Sequence, residues 1–176
     1  MNIQHATDRE PQPWRNGRGV QFDITANGSA PDDWTWKLST ADITEDVPFS
    51  SFPEVSRQFC VADGNGVELT IDGVAHVCTS GSVTPFRGDA DVHARLLDGP
   101  MRALNLMTRR GDSARLRVLM AGESLDGGMV AISICGESEI TVAGGRIPLR
   151  VLDAVLDLGG AEVRVERGRA AILIRD

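Results

Sequence analysis

Residues 97–111, LDGPMRALNLMTRRG, are the stretch around which the rest of the chain divides. Asp98-Gly99-Pro100 reads as a tight turn, because glycine takes positive φ freely and proline fixes its own φ. Positions 103–107 then alternate as a strand does, with Leu104 and Leu106 on one face and Asn105 and Met107 on the other. Thr108-Arg109-Arg110-Gly111 closes the stretch with two adjacent cations and a second breaker. An amide and a thioether sharing a strand face make a candidate pocket wall. A half-buried strand with a solvated basic end accounts for the same residues.

Working back toward the N-terminus, alternating or β-branched runs at 20–26, 34–40, 55–62, 67–71, 74–78, 83–86 and 92–97 read as strands. In the second of these, Trp34, Trp36 and Leu38 share a face and leave Thr35, Lys37 and Ser39 opposite. Turn chemistry separates the runs: the 27–33 stretch, Asp63-Gly64-Asn65-Gly66, Asp72-Gly73, Ser80-Gly81 and Arg87-Gly88-Asp89. Residues 42–53 are non-periodic and carry Phe49 and Phe52, which must be buried against a pocket or over the end of a barrel. Beyond Gly111 the rhythm restarts, with strand-like runs at 114–120, 129–135, 139–142, 146–149, 151–156, 161–165 and 170–174. No helical periodicity outlasts two turns. The pattern predicts an all-β chain of antiparallel strands folded as two similar β-rolls.

At 176 residues the chain can hold one full core or two small halves sharing one. A hydrophobic content of 41% and a charged content of 24% fit a globular protein rather than a disordered one. The net charge of −7 speaks against nucleic acid or an anionic membrane as partner, since both reward a basic surface. The opening MNIQHATDREPQPW lacks a basic segment followed by an apolar run, so a cytoplasmic location is expected. Cys60, Cys78 and Cys135 lie apart in apolar runs and read as buried thiols, without disulfide or zinc spacing.

His5, His76 and His93 stand far apart, with no HxH or HExxH, so neither a metal nor another cofactor is expected. Neither GxSxG nor any Ser-His-Asp grouping is present. What remains suits gripping rather than transforming: Arg15, Asn16, Arg57 and Asn105, with Trp14, Phe49 and Phe52. Guanidinium, amide and aromatic groups together describe a pocket for a small carboxylate-bearing or planar metabolite. The glycines of Trp14-Arg15-Asn16-Gly17-Arg18-Gly19 would let backbone approach a ligand, and Arg15 offers a two-pronged fork. A surface turn whose Trp covers the core edge is the plainer alternative.

PWRNGRG (13–19), PFSSFP (48–53), PFRGD (85–89), LDGP (97–100) and NLMTRRG (105–111) follow one another in an order and spacing that resemble the HutD/Ves family of bacterial two-cupin proteins. The likeness covers residues 1–111; beyond them it extends only to length and β-rich pattern. It implies an RmlC-like double cupin, two jelly-roll or β-barrel halves in one chain, at 1–111 and 112–176 with strands exchanged between them. It places the pocket in the first half and implies as its residues Trp14, Arg15, Asn16, Phe49, Phe52, Arg57, Asn105 and Met107. Metal-binding cupins use a histidine-rich motif that this chain lacks. The family's link to histidine-utilisation operons, and in other members to stress responses, implies a small anionic partner such as formylglutamate or urocanate. Three departures stand out: Arg18 and Glu54 occupy positions where the family carries glycine, and Gln21-Phe22-Asp23 replaces a threonine–basic–glutamate run. The larger Arg18 side chain would narrow the mouth of the pocket or add an anion contact.

Three functions follow as expectations. The first is a metal-free bicupin that binds a small carboxylate metabolite in a sensing or regulatory role, with no catalytic residues. The second is a cupin isomerase or hydrolase working through His76 or His93 with Asp89. The third is a structural or partner-binding β protein, with a homodimer as the open possibility for self-association. Arg109 and Arg110 read as structural cations paired with acids at the seam of the halves.

Overall fold

The computed structural model describes residues 1–28, 33–109 and 111–175. Arg110 and most of the turn expected at 27–33 therefore lie outside the described residues. A short strand, β1 (Asn2–Gln4), and a single 3-10 turn (Ala6–Asp8) open the chain. Ten strands follow: β2 (Pro11–Pro13), β3 (Val20–Ala26), β4 (Trp36–Ile43), β5 (Val47–Pro48), β6 (Val55–Asp63), β7 (Val67–Ile71), β8 (Val74–Cys78), β9 (Val83–Arg87), β10 (Val92–Leu96) and β11 (Met101–Arg109). The last five are β12 (Arg115–Met120), β13 (Ser124–Val142), β14 (Gly145–Leu149), β15 (Ala154–Leu156) and β16 (Ala161–Ile174). Every pairing between these strands is antiparallel. The described residues are all-β apart from the 3-10 turn.

Two compact units divide the chain, Glu10–Asp112 and a second made of Met1–Arg9 with Ser113–Asp176. The first nine residues, expected with the first half, belong instead to the second unit. The reason is β1, whose residues pair with β15 as Asn2↔Leu156, Ile3↔Val155 and Gln4↔Ala154. Asp153 fastens the same segment: its carboxylate accepts the Ala6 N–H at 2.9 Å and meets His5 Nδ1 at 3.0 Å.

In the second unit a sheet ordered β1-β15-β13-β16-β12, with β14 on β13, encloses an aliphatic cluster that includes Ile140, Val155, Val163 and Ile172. Two strands run longer than their turn residues predict. Residues 129–135 and 139–142 form one strand, β13, because Cys135 (φ 58°) and Gly136 (φ 116°) turn the backbone through a bulge without ending the ladder. Gly168 in β16 (φ 77°) sits against that bulge, where an added Cβ would come within 2.3 Å of the Glu137 carbonyl oxygen. Glycine there lets both strands bend together.

The unit Glu10–Asp112 is built from two sheets, β2-β3-β4-β11-β6-β9 and β5-β10-β7-β8. Phe59, Val61, Val67, Leu69, Ala94 and Ala103, all fully buried, form the core with Ile43, Val47 and Met101. Burying Phe59 alone is worth about 2–3 kcal/mol.

A cavity around Arg57

β11 and its neighbours set the side chains of one sheet face by simple alternation. Asn105 lies opposite Ser39 of β4 and Phe59 of β6, while Met107 lies opposite Lys37 and Arg57. Arg57 is flanked on its other side by Phe86 of β9, and Gln21 of β3 lies opposite Ala41. Period-two geometry therefore gathers Gln21, Lys37, Ser39, Ala41, Arg57, Asn105 and Met107 on one face. These residues, except Lys37, line a cavity that is completed by Trp14, Arg15, Ile43, Phe49, Ser50 and Phe52. Seven of the eight residues expected to form the pocket are brought together here.

Arg57 is the centre of the cavity. It is only 6% exposed, and among the described residues no carboxylate pairs with it. Its Nη2 donates to Asn105 Oδ1 at 3.1 Å. Three rings take the remaining contact, with the guanidinium carbon 5.1 Å from the Phe49 centroid, 5.1 Å from Phe86 and 5.8 Å from Phe52. Burial lowers its pKa to about 10, so the group is charged at neutral pH and costly to keep so. Arg57 Nε has no hydrogen-bond partner, and neither does Ser50 Oγ, which lines the same cavity. A buried cation and two orphaned polar atoms around one space are what an anion with lone pairs would satisfy.

Two loops close the cavity. Trp14-Arg15-Asn16-Gly17 makes a turn in which Gly17 N–H donates to Trp14 O at 2.9 Å, and Gly17 needs its φ of 69° to do so. Gly19 has a different reason: a Cβ there would sit 2.6 Å from the Trp14 ring, so the indole lies flat over bare backbone. The expectation that these glycines admit a ligand to the backbone gives way to these two roles. Asn16 does not line the cavity. Its Oδ1 accepts the Arg18 N–H at 3.0 Å and its Nδ2 donates to Pro48 O at 3.1 Å, which ties the turn to the aromatic loop. Arg18 is exposed and also lies away from the lining.

The aromatic loop is pinned at several points. Phe49 N–H donates to Val92 O at 2.8 Å, Phe52 N–H to Gly88 O at 2.7 Å, and Gly88 N–H to Val55 O at 2.7 Å. Phe49 meets Trp14 edge-on at 6.1 Å and also contacts Phe59. Glu54 takes the left-handed φ of 64° at the position where the family pattern has glycine.

The inner cavity is small, about 30 Å³, room for two or three waters. It shares Arg15, Gln21, Ser39, Phe52 and Met107 with an adjoining compartment of about 280 Å³, outer in the sense that Arg57 does not line it, whose wall adds Trp34, Lys37 and Arg109. Trp34 precedes β4 and is freed from the face expected for it. Arg109, expected at a seam, lays its guanidinium over Trp34 at 4.3 Å from the ring centroid. Sequence patterning missed Ser50, Gln21, Ala41 and Ile43 as lining residues. Ser39 carried a usable signal, since its alternation with Leu38 put it beside Lys37.

The donor set does not fit a metal. The lining contains no histidine, cysteine or carboxylate, and Arg57 would repel a cation. Among the described residues no group of three such ligands comes together. His76 on β8 and His93 on β10 are exposed, and neither they nor Asp89 line the cavity. No helix among the described residues is long and apolar enough to cross a membrane.

A model of the HutD family matches residues 6–173. The chain belongs to the HutD family. The match runs well past residue 111, where the likeness read from motifs alone stops. A protein described as an uncharacterized 21.2 kDa protein in the hutC 3′ region of Pseudomonas putida is 34% identical over 109 residues, covering 61% of this chain and 57% of that one. Protein Ves of Citrobacter koseri is 36% identical over 110 residues, with the same coverage. The matched stretch thus spans a little over half the length of these curated relatives. The solved structure of HutD from Pseudomonas fluorescens SBW25 superposes with a TM-score of 0.79 at 29% identity, covering 99% of this chain and 98% of that one. A cupin 2 conserved barrel domain protein from Leptotrichia buccalis superposes at 0.61 and 12% identity over 99% and 96% of the two chains, which shows the fold alone.

Proposed function

We propose that this HutD-family protein is a metal-free bicupin that holds the carboxylate of a small metabolite on Arg57 and Asn105. Formylglutamate or urocanate is the suggested ligand, and sensing or regulation in histidine utilisation, or in a stress response, is the suggested role. One observation carries the reading: Arg57 is buried with no carboxylate beside it among the described residues, in a cavity of carboxylate size. Such a charge is tolerated when a ligand supplies the missing partner. The name HutD on a structural neighbour and the hutC 3′ region location of a relative support the pathway.

The test is calorimetric titration of formylglutamate and of urocanate into the wild type and Arg57→Met. Binding by the wild type with loss in the variant is expected. Equal heats from the two proteins would remove Arg57 from the site.

A further inference from the structure

The inner cavity has room for an acid group but not for the body of a metabolite: about 30 Å³ against about 280 Å³ in the outer compartment. Whatever places a carboxylate on Arg57 must therefore leave the rest of itself among the outer residues. Those residues are strongly cationic. Arg15 is exposed, has no ion-pair partner among the described residues, and rests its guanidinium 5.0 Å from the centroid of Phe52. Lys37 Nζ is held at 2.8 Å by Asp23, whose other oxygen accepts Gln21 Nε2 at 3.1 Å. That contact orients the ammonium and leaves it further donors, since lysine carries three. Arg109 adds a third cation to the wall.

Phe52 links the two compartments. Its ring lies 5.0 Å from the Arg15 guanidinium carbon and 5.8 Å from that of Arg57, so the two cations are at most about 11 Å apart. Like charges at this spacing, one of them buried, repel each other until anions are placed on both. A single acid would neutralise only the buried charge and leave Arg15, which is exposed, to the solvent.

We propose that the outer compartment is a second acid-recognition site, in which Arg15 and Lys37 grip the far carboxylate of a short dicarboxylate whose near carboxylate sits on Arg57. This rests on the Arg57 reading above and narrows it to two-headed acids. Arg15 and Lys37 are the residues that would set this preference.

Glutarate and valerate, equal in carbon count and differing by one carboxylate, separate the two claims. Each is titrated calorimetrically into wild type, Arg15→Gln, Lys37→Gln and Arg57→Met. The wild type should bind glutarate about tenfold or more tighter than valerate. That ratio should shrink severalfold in Arg15→Gln or Lys37→Gln, while Arg57→Met loses both acids. Equal affinities in the wild type, or a ratio unchanged in both outer variants, would overturn the second site even if Arg57→Met still abolished binding. Undiminished binding by Arg57→Met would overturn both readings together.

Discussion

Replacing Arg57 by methionine separates an anion-binding arginine from a structural one. Methionine keeps most of the side-chain length and flexibility and removes the charge. The fall in the Arg57 pKa to about 10 corresponds to roughly 3 kcal/mol of penalty on the charged form, at about 1.4 kcal/mol per pKa unit. Methionine relieves that penalty. It forfeits the bond to Asn105, worth about 1–2 kcal/mol, and cation–ring attraction worth about another 1 kcal/mol. The two sides nearly cancel, so the ligand-free variant should keep its stability within about 1 kcal/mol of wild type. A buried arginine that completed an internal ion pair would behave otherwise, because its loss strands a carboxylate and costs about 3–5 kcal/mol. Urea unfolding at pH 7 followed by tryptophan fluorescence reads the relevant unit directly, since Trp14, Trp34 and Trp36 all belong to Glu10–Asp112. Formylglutamate at a hundred times its dissociation constant should add about 2.7 kcal/mol to the wild type and nothing to the variant. Loss of 3 kcal/mol or more in the ligand-free variant would refute the account of Arg57 as an uncompensated charge.

Asn105→Asp should place a carboxylate where Oδ1 now lies, 3.1 Å from Arg57 Nη2. The ligand-free protein should melt at the same temperature or higher, and calorimetry should detect no acid binding, because the site is occupied by its own side chain. Gly88→Ala would bring a Cβ within 2.4 Å of Phe52 O and 2.7 Å of Val55 O, breaking the two backbone bonds that pin the aromatic loop. A loss of about 2 kcal/mol or more in urea unfolding and weaker ligand binding are expected. In the other unit, burial pushes the Asp153 carboxyl up, but bonds from the Ala6 N–H, His5 and the Arg150 N–H outweigh it and hold the pKa below the ordinary carboxylate value. Its contribution is thus present above that ordinary value and lost as pH falls through the lowered one. Urea midpoints at pH 6 and pH 3 should converge in Asp153→Asn more than in the wild type.

The parts of the site set by alternation were legible in sequence. Asn105 and Met107 face the cavity and Leu104 and Leu106 face away, because a strand admits only two sides. Arg57 was legible as a charge inside an apolar run. Asn16 was legible only as a residue type: its bonds to Pro48 O and Arg18 N–H depend on where two loops meet. Ser50 faces the cavity because of backbone pinning at Phe49 and Phe52, a constraint set by Val92 and Gly88, some 40 residues further along. The same limit applies to the fold. Eight strands of the first unit, β3, β4 and β6 to β11, follow local turn chemistry, whereas the joining of β1 to β15 links residues about 150 positions apart. No local pattern encodes that pairing. Each of β13 and β16 divides into two runs in the sequence because glycine signals a break equally well when the ladder continues past it.

The choice of partners around Arg57 also explains why the site can remain both folded and receptive. Ring faces attract the guanidinium through cation–π contact and offer its N–H groups no lone-pair oxygen, so they do not take the place of a carboxylate. Asn105 offers a neutral oxygen to Nη2 and can yield it more readily than a charged oxygen would. A protein carboxylate in the same position would satisfy Arg57 better and compete with every anionic ligand. Phe49, Phe52 and Phe86 therefore stabilise the cation without competing for its donors, and Nε remains unpaired. On this reasoning the aromatic loop matters less as a lid than as the means by which the unit Glu10–Asp112 keeps an unpaired charge at the bottom of its cavity.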